Sequence, residues 1–212
     1  MQPNPEQVKW IKAVVFAACL FPLARLAWLG FHNRLGANPI ESITHSTGWW
    51  TLAFLVITLS VTPLRRLLNL GWLLRLRRML GLFAFFYVSL HFTTYIWLDQ
   101  FFDWSEIVKD VAKRPFITAG FSAFVLLIPL AVTSTNAMVK RLGAKRWQLL
   151  HRLVYAVAAL GVLHFWWLVK KDITEPFIFA SLLALLLIIR LLYVLKQQRS
   201  ASPPPAARSQ AA

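Results

Sequence analysis

Long apolar blocks alternate with short polar links along this chain, and the alternation repeats six times. An apolar run of about 20 residues is the length that crosses bilayer hydrocarbon as a helix. The blocks are Trp10–Leu29, Ile43–Val61, Met79–Leu98, Phe116–Val132, Trp147–Val169 and Pro176–Leu195. Each is expected to form a membrane-spanning helix, with Pro22 kinking the first and Thr62-Pro63 ending the second. One link is longer than the rest. Asp99–Pro115 carries Trp104, Ile107, Val108 and Val111 at helical spacing among four carboxylates, the pattern of a short amphipathic helix lying on a surface. Residues 197–212 hold Pro203-Pro204-Pro205 and small side chains, too little apolar surface to fold, and are expected to be a disordered tail. The fold class is therefore all-α: one six-span transmembrane helical bundle over residues 1–196.

Composition supports this reading and charge orients it. The chain is 58% hydrophobic, above the roughly 45–50% of soluble domains. A net charge of +15 would suggest nucleic acid in a soluble protein, but here the charges are sorted between links. Arg65, Arg66, Arg75, Arg77 and Arg78, then Lys140, Arg141, Lys145 and Arg146, share one side with Lys9, Lys12, Lys196 and Arg199. Most carboxylates fall on the other side, with Arg34, the Lys109–Arg114 group, Lys170 and Lys171. The positive-inside rule then makes the basic side, and both termini, cytoplasmic. Trp49, Trp50, Trp97, Trp104, Trp147, Trp166 and Trp167 fall at block edges, as an interfacial aromatic belt. Cys19 is the single cysteine, so no disulfide forms within the chain and no C-x-x-C-H haem-attachment motif exists. The first block, being followed by further spans, reads as a retained helix and not a cleaved signal.

The fifth block carries the candidate chemistry. An ionisable residue in lipid is expensive and marks a functional site by default, and this block holds His151 and His164. Thirteen residues separate them by about 20 Å along a helix, one near each membrane face, a spacing that suits redox cofactors stacked across the bilayer. His91 in the third block lies at the depth of His164, so depth pairs these two. Two imidazoles from facing helices are the axial ligands a haem iron takes. No second histidine lies at the depth of His151, where the other candidates are arginines, Met79 and water. A straight helix turns by roughly 220° over thirteen residues. Either Gly161 permits a bend that aligns the two histidines, or they face different neighbours. His32 and His45 sit at the interface, where histidine is cheap. The plain account of a buried histidine is a hydrogen bond to a neighbouring helix, worth roughly 1 kcal/mol or less. Three on two apolar helices exceeds what packing needs, and a metal or haem is the competing account. Arg152, beside His151, is a candidate partner for a haem propionate or a snorkelling surface arginine.

The segments RRMLGLFAFFYVSLHFTTYIWLD around His91, KRWQLLHRLVYAVAALGVLHFWW around His151 and His164, and TLSVTPLRRL at the end of the second block resemble the MsrQ/YedZ family. These are the haem-binding membrane subunits of bacterial periplasmic methionine sulfoxide reductase systems, within the ferric reductase-like transmembrane group. The resemblance covers nearly the whole chain apart from the tail. It implies b-type haem (one or two) between the third and fifth helices, an FMN, and the bacterial inner membrane. It implies delivery of electrons to a periplasmic molybdopterin-containing methionine sulfoxide reductase that repairs oxidised envelope proteins. The implied donor is the quinone pool or a cytoplasmic flavin reductase. His91, His151 and His164 fall on the family's haem-associated histidines. The wider group carries two histidines on each of two helices, usually fourteen apart. Here the third block has only His91, so a bis-histidine outer haem is expected, while an inner haem at His151 needs another second ligand. The Arg75, Arg77 and Arg78 cluster is a candidate for the flavin phosphate, although topology alone accounts for these arginines.

The expected role is a transmembrane electron relay, with Asp99–Pro115 and Arg34–Glu41 as the docking surface for the periplasmic partner. No G-x-G-x-x-G fold accompanies the spans, so neither NADPH oxidation nor sulfoxide reduction is expected of the chain itself. A proton-relay transporter would place carboxylates or broken helices at the midplane, and the acidic residues sit at block ends. A di-iron oxygenase would need clustered H-x-x-H pairs, and none occur. A plain membrane anchor without a redox role is the remaining alternative.

Overall fold

The computed structural model describes residues 2–201, and within them every regular element is helical. The helices are α1 (Pro5–Phe31), α2 (Pro39–Leu67), α3 (Leu74–Thr94), α4 (Trp104–Lys113), α5 (Pro115–Val132), α6 (Asn136–Leu142), α7 (Ala144–His151), α8 (Leu153–Leu168) and α9 (Thr174–Ala201). Six stretches are long and apolar enough to cross a membrane: Pro5–Phe31, Pro39–Leu67, Gly71–Asp99, Pro115–Val132, Ala144–Leu168 and Thr174–Gln198. The all-α, six-span reading of the sequence stands. The last helix continues five residues into the expected tail, and residues 202–212 of that tail lie outside the described residues.

Two antiparallel pairs, α2 with α3 and α5 with α8, form the body of the bundle; α9 closes against α2 and α8, and α1 lies at the edge. α2 is the central helix: in its apolar 18-residue stretch 56% of residues are buried, against 28% or less in the other described spans. Its inward positions include Leu52, Phe54, Leu55 and Leu59, which meet Leu80, Phe83, Ala84 and Tyr87 of α3 in one continuous core. Ala84, fully buried, and Gly81 allow the two backbones to approach, as small residues do where lipid supplies no hydrophobic drive. Thr47, Thr51 and Thr58 are buried on α2, and each hydroxyl donates to the carbonyl four residues back. Polar groups in a membrane core need such internal partners.

Side-chain contacts fix the ends of the bundle. Gln2 Nε2 donates to the Asn69 carbonyl at 2.9 Å, and Arg78 Nη1 donates to Asn136 Oδ1 at 2.7 Å. The N-terminus, the α2–α3 link and the start of α6 thus share one end, the basic one. At the opposite, acidic end His45 of α2 meets Glu175 of α9 at 3.4 Å.

Three local features differ from the sequence expectation. First, α2 does not end at Pro63 but runs through it to Leu67. Proline lacks an N–H and frees the carbonyl four residues earlier. Arg190 of α9 donates its Nη2 to that freed Leu59 oxygen at 2.5 Å, so the helix continues without an orphaned acceptor. Second, the fifth span is not one helix. It breaks at Arg152, where Arg152 and Tyr155 N–H groups bond three residues back, to Leu149 and Arg152 carbonyls. The bend is there and not at Gly161. Third, the link before it contains α6, N-capped by Thr135 and turned into α7 through Gly143 at φ 76°, a left-handed conformation that glycine adopts without strain. The expected surface helix is α4, capped by the Asp103 carboxylate, which accepts from Ser105 and Glu106 N–H. It exposes Trp104 and Val108 while Ile107 and Asp110 are buried.

Candidate functional site: a paired-histidine centre between two helix pairs

His91 of α3 and His164 of α8 meet near the acidic end of the bundle. Their ring centroids are 6.1 Å apart with planes at 80°. Each ring is oriented by a backbone carbonyl of the helix it packs on. His91 Nδ1 donates to the Thr44 carbonyl of α2 at 2.9 Å, with Thr47 Oγ1 3.5 Å from the same nitrogen. His164 Nδ1 donates to the Phe116 carbonyl of α5 at 2.7 Å. A carbonyl can only accept, so both Nδ1 atoms carry the proton and both Nε2 atoms keep a free lone pair. That is the tautomer a metal-ligating imidazole requires, fixed by its outer hydrogen bond.

A glycine makes room for each ring. A Cβ added at Gly48, four residues after Thr44, would lie 3.0 Å from His91 Cε1. One added at Gly120, four residues after Phe116, would lie 2.7 Å from His164 Nδ1. The two helix pairs therefore repeat one device: a carbonyl to hold the imidazole, and a glycine one turn later so the ring can lie against the backbone.

The geometry fits a metal carried in a planar macrocycle. Imidazole nitrogens bind metals at about 2 Å, so two imidazoles on opposite sides of one metal place their ring centroids roughly 6 Å apart, matching the observed spacing. Among the described residues no three His, Cys, Asp or Glu side chains converge as a cage. Two imidazoles are a complete protein contribution for haem, whose porphyrin supplies the other four donors.

His151 lies far from this pair, at the basic end. Its Nδ1 donates to the Trp147 carbonyl at 3.0 Å, and the Oγ of Ser134, two residues past the end of α5, is 3.4 Å from its Nε2. The Trp147 ring stacks on the imidazole at 3.8 Å and donates its Nε1–H to the Thr133 carbonyl at 2.9 Å. Both His151 and His164 thus face α5, one at each end. The sequence left open whether they face the same neighbour, and the tight turn at Arg152 supplies the rewinding that allows it. Arg77 and Arg78 of α3 face His151 electrostatically. Arg152 is exposed, as is Arg75. His45 pairs with Glu175, and His32 bonds its own helix at the Trp28 carbonyl, 2.7 Å away.

Sequence reasoning missed Gly48, Gly120, Trp147 and Arg190. The glycines carried a faint signal, being mid-block residues with low helix propensity. Arg190 carried a plain one, a charge inside the last apolar block.

A multi-pass helical bundle with two adjacent, backbone-oriented imidazoles suits a membrane redox subunit, and the comparisons agree. The family model described as "Ferric reductase like transmembrane component" matches residues 47–162, the segment that holds His91 and His151 and ends two residues before His164. The protein-methionine-sulfoxide reductase heme-binding subunit MsrQ of Herminiimonas arsenicoxydans is 63% identical over 186 residues, 87% of this chain and 85% of that protein. The proteins of the same name from Ralstonia nicotianae and Azospira oryzae are 54% and 55% identical. The first covers 86% of this chain and 85% of the relative; the second covers 87% and 80%. The chain belongs to the ferric reductase-like transmembrane family and, within it, to the MsrQ/YedZ heme-binding subunits.

Proposed function

We propose that this chain is the b-type haem electron-transfer subunit of a methionine sulfoxide reductase system in the bacterial inner membrane. The observation that carries the reading is the His91–His164 pair, with both Nδ1 protons committed to backbone carbonyls. A haem bound between third and fifth spans supplies one-electron redox chemistry. His91 and His164 are the residues that would hold its iron. The Thr44 and Phe116 carbonyls keep the two rings in the ligating tautomer, and the apolar walls of the bundle exclude water.

The basic end is the cytoplasmic side and holds both termini. Electrons enter there from the quinone pool or a cytoplasmic flavin reductase, and leave at the acidic end. The acceptor is a periplasmic molybdopterin-containing reductase that repairs oxidised envelope proteins, docked against Asp99–Pro115 and Arg34–Glu41. Names of the relatives, which pair a heme-binding subunit with a methionine sulfoxide reductase, support this assignment. His151 is the candidate ligand for a second haem, with Arg152 its propionate partner. FMN is the second cofactor, its phosphate held by Arg75, Arg77 and Arg78.

The test is the reduced-minus-oxidised visible spectrum of the purified protein in detergent, with haem quantified per chain. His91→Ala and His164→Ala are expected to abolish the same b-type bands, while His151→Ala removes only a part of the absorbance. A colourless wild type, expressed with ample haem, would overturn the reading and leave a membrane anchor or a transporter.

A further inference from the structure

The chain has eight carboxylate residues, and among the described residues Asp110 alone of them is buried. Withdrawing a charge from water is costly unless it is well paired, so the place of this carboxylate needs a reason. It lies on α4 at the acidic end, and each of its oxygens serves a different neighbour. Oδ2 accepts from the Tyr95 hydroxyl at 3.2 Å, and Oδ1 pairs with Arg114 Nε at 3.1 Å. Tyr95 follows His91 by one helical turn, and its N–H donates to the His91 carbonyl. It opens Tyr95–Asp99, a stretch wound as a π-helix, a rare winding that is frequent at functional sites. Arg114 is the link from α4 to α5. Its N–H donates to the Asp110 carbonyl at 2.9 Å, and Thr118 Oγ1 of α5 donates to the Val111 carbonyl of α4 at 2.5 Å. α4 and the first turn of α5 are therefore one locked unit, and that turn carries the Phe116 carbonyl that holds His164.

We propose that Asp110 is a positioning residue for the paired imidazoles. Its carboxylate ties the α4–α5 unit, which orients His164, to the end of α3, which carries His91. It thereby sets how the two rings stand across a haem, and in this it rests on the haem reading above. The two histidines belong to different helix pairs, α2 with α3 and α5 with α8, and lipid supplies no hydrophobic drive to hold such pairs together. A directed bond between the pairs fixes their register. The two arms of Asp110 are unequal. The Arg114 side chain is 57% exposed, and an exposed ion pair contributes little. The Tyr95 arm is the one that joins the two pairs, and a hydrogen bond to a charged group is worth more than a neutral one. Anchoring α4 alone does not require this arrangement, because Asp103 caps that helix and Ile107 buries into the bundle.

The experiment uses the full chain in detergent. Haem per chain is measured across a haem titration, and the electron paramagnetic resonance spectrum of the oxidised protein is recorded for the signal that His91→Ala abolishes. The largest g value of a ferric haem with two imidazole ligands follows the angle between the ring planes, so it reads ligand orientation and not folding. Asp110→Ala is expected to shift that value and to weaken haem binding by up to about tenfold, the low end for losing an outer-shell partner of a ligating histidine. Tyr95→Phe should shift it the same way and Arg114→Gln much less. Tyr95→Phe/Asp110→Ala should go no further than Asp110→Ala alone, because both act through one bond. Asp103→Ala loosens α4 from its other end and should leave the g value in place. An unshifted g value in Asp110→Ala, with α4 amides exchanging faster, would overturn the proposal and reduce Asp110 to an anchor of α4. If Asp110→Ala does not fold, Tyr95→Phe decides, and an unshifted value there overturns the proposal equally. Amide exchange of the haem-free protein separates this clamp from the haem reading. A colourless wild type overturns that reading; faster exchange at Tyr95 and Thr118 in Tyr95→Phe would still show the clamp, and unchanged exchange would overturn it too.

Discussion

Gly120→Ala adds one carbon and two hydrogens, and the structure assigns it a large effect. The new Cβ would stand 2.7 Å from His164 Nδ1, 3.0 Å from Cε1 and 3.1 Å from Cγ. Comfortable contact begins at about 3.5 Å, so the ring must withdraw by roughly 0.8 Å or the two helices must part. Nδ1 cannot withdraw without lengthening its 2.7 Å bond to the Phe116 carbonyl. Disturbing an outer-shell partner of a metal-ligating histidine typically weakens the metal 10–100-fold, so a loss of about 1.4–2.8 kcal/mol in haem affinity is expected. Gly48→Ala, whose Cβ would meet His91 no closer than 3.0 Å, should lose less. Gly30→Ala meets only Leu35 Cδ1 at 3.6 Å and should lose nothing. The assay is haem per chain by pyridine haemochrome across a haem titration, with the reduced spectrum recorded for each variant. Full occupancy and an unshifted spectrum in Gly120→Ala would refute the claim that the glycine makes room for a ligating ring. An equal loss in Gly30→Ala would show a general helix effect instead.

Other consequences follow from the same contacts. Tyr87 is almost fully buried; its hydroxyl donates to the Cys19 carbonyl at 2.8 Å and accepts from Leu23 N–H at 3.2 Å. Tyr87→Phe should lower stability by about 1–3 kcal/mol and speed maleimide labelling of buried Cys19 as α1 loosens; unchanged labelling would show that α1 is held elsewhere. Trp147→Phe keeps an aromatic face on His151 but loses the bond to Thr133, so absorbance assigned to His151 should shift while that of the His91–His164 pair stays; a change confined to the latter would contradict the assignment. Asp103→Ala removes the N-cap of α4, costing about 1 kcal/mol. Amide exchange in residues 104–107 should quicken with the haem spectrum untouched, and no change there would show that burial of Ile107 alone holds the helix.

The six spans, their order and the sorting of charge to two ends were legible in the sequence. Each depends on one property read locally, the length of an apolar run or the sign of a link. The pairing of His91 with His164 was legible too, because position along a span converts to depth in a bilayer. Three matters lay beyond such reading. Helix phase at His151 turned on a few backbone bonds at Arg152, where no glycine or proline signals a break. Continuation of α2 through Pro63 depended on Arg190, 127 positions later in the chain, reaching the one carbonyl the proline had freed. The fit of each imidazole depended on Thr44 with Gly48 and on Phe116 with Gly120, helices distant in sequence from the histidines they hold. Composition and periodicity are properties of one segment and survive its isolation. A shared hydrogen bond or a close approach belongs to two segments at once, and only the packed bundle decides it.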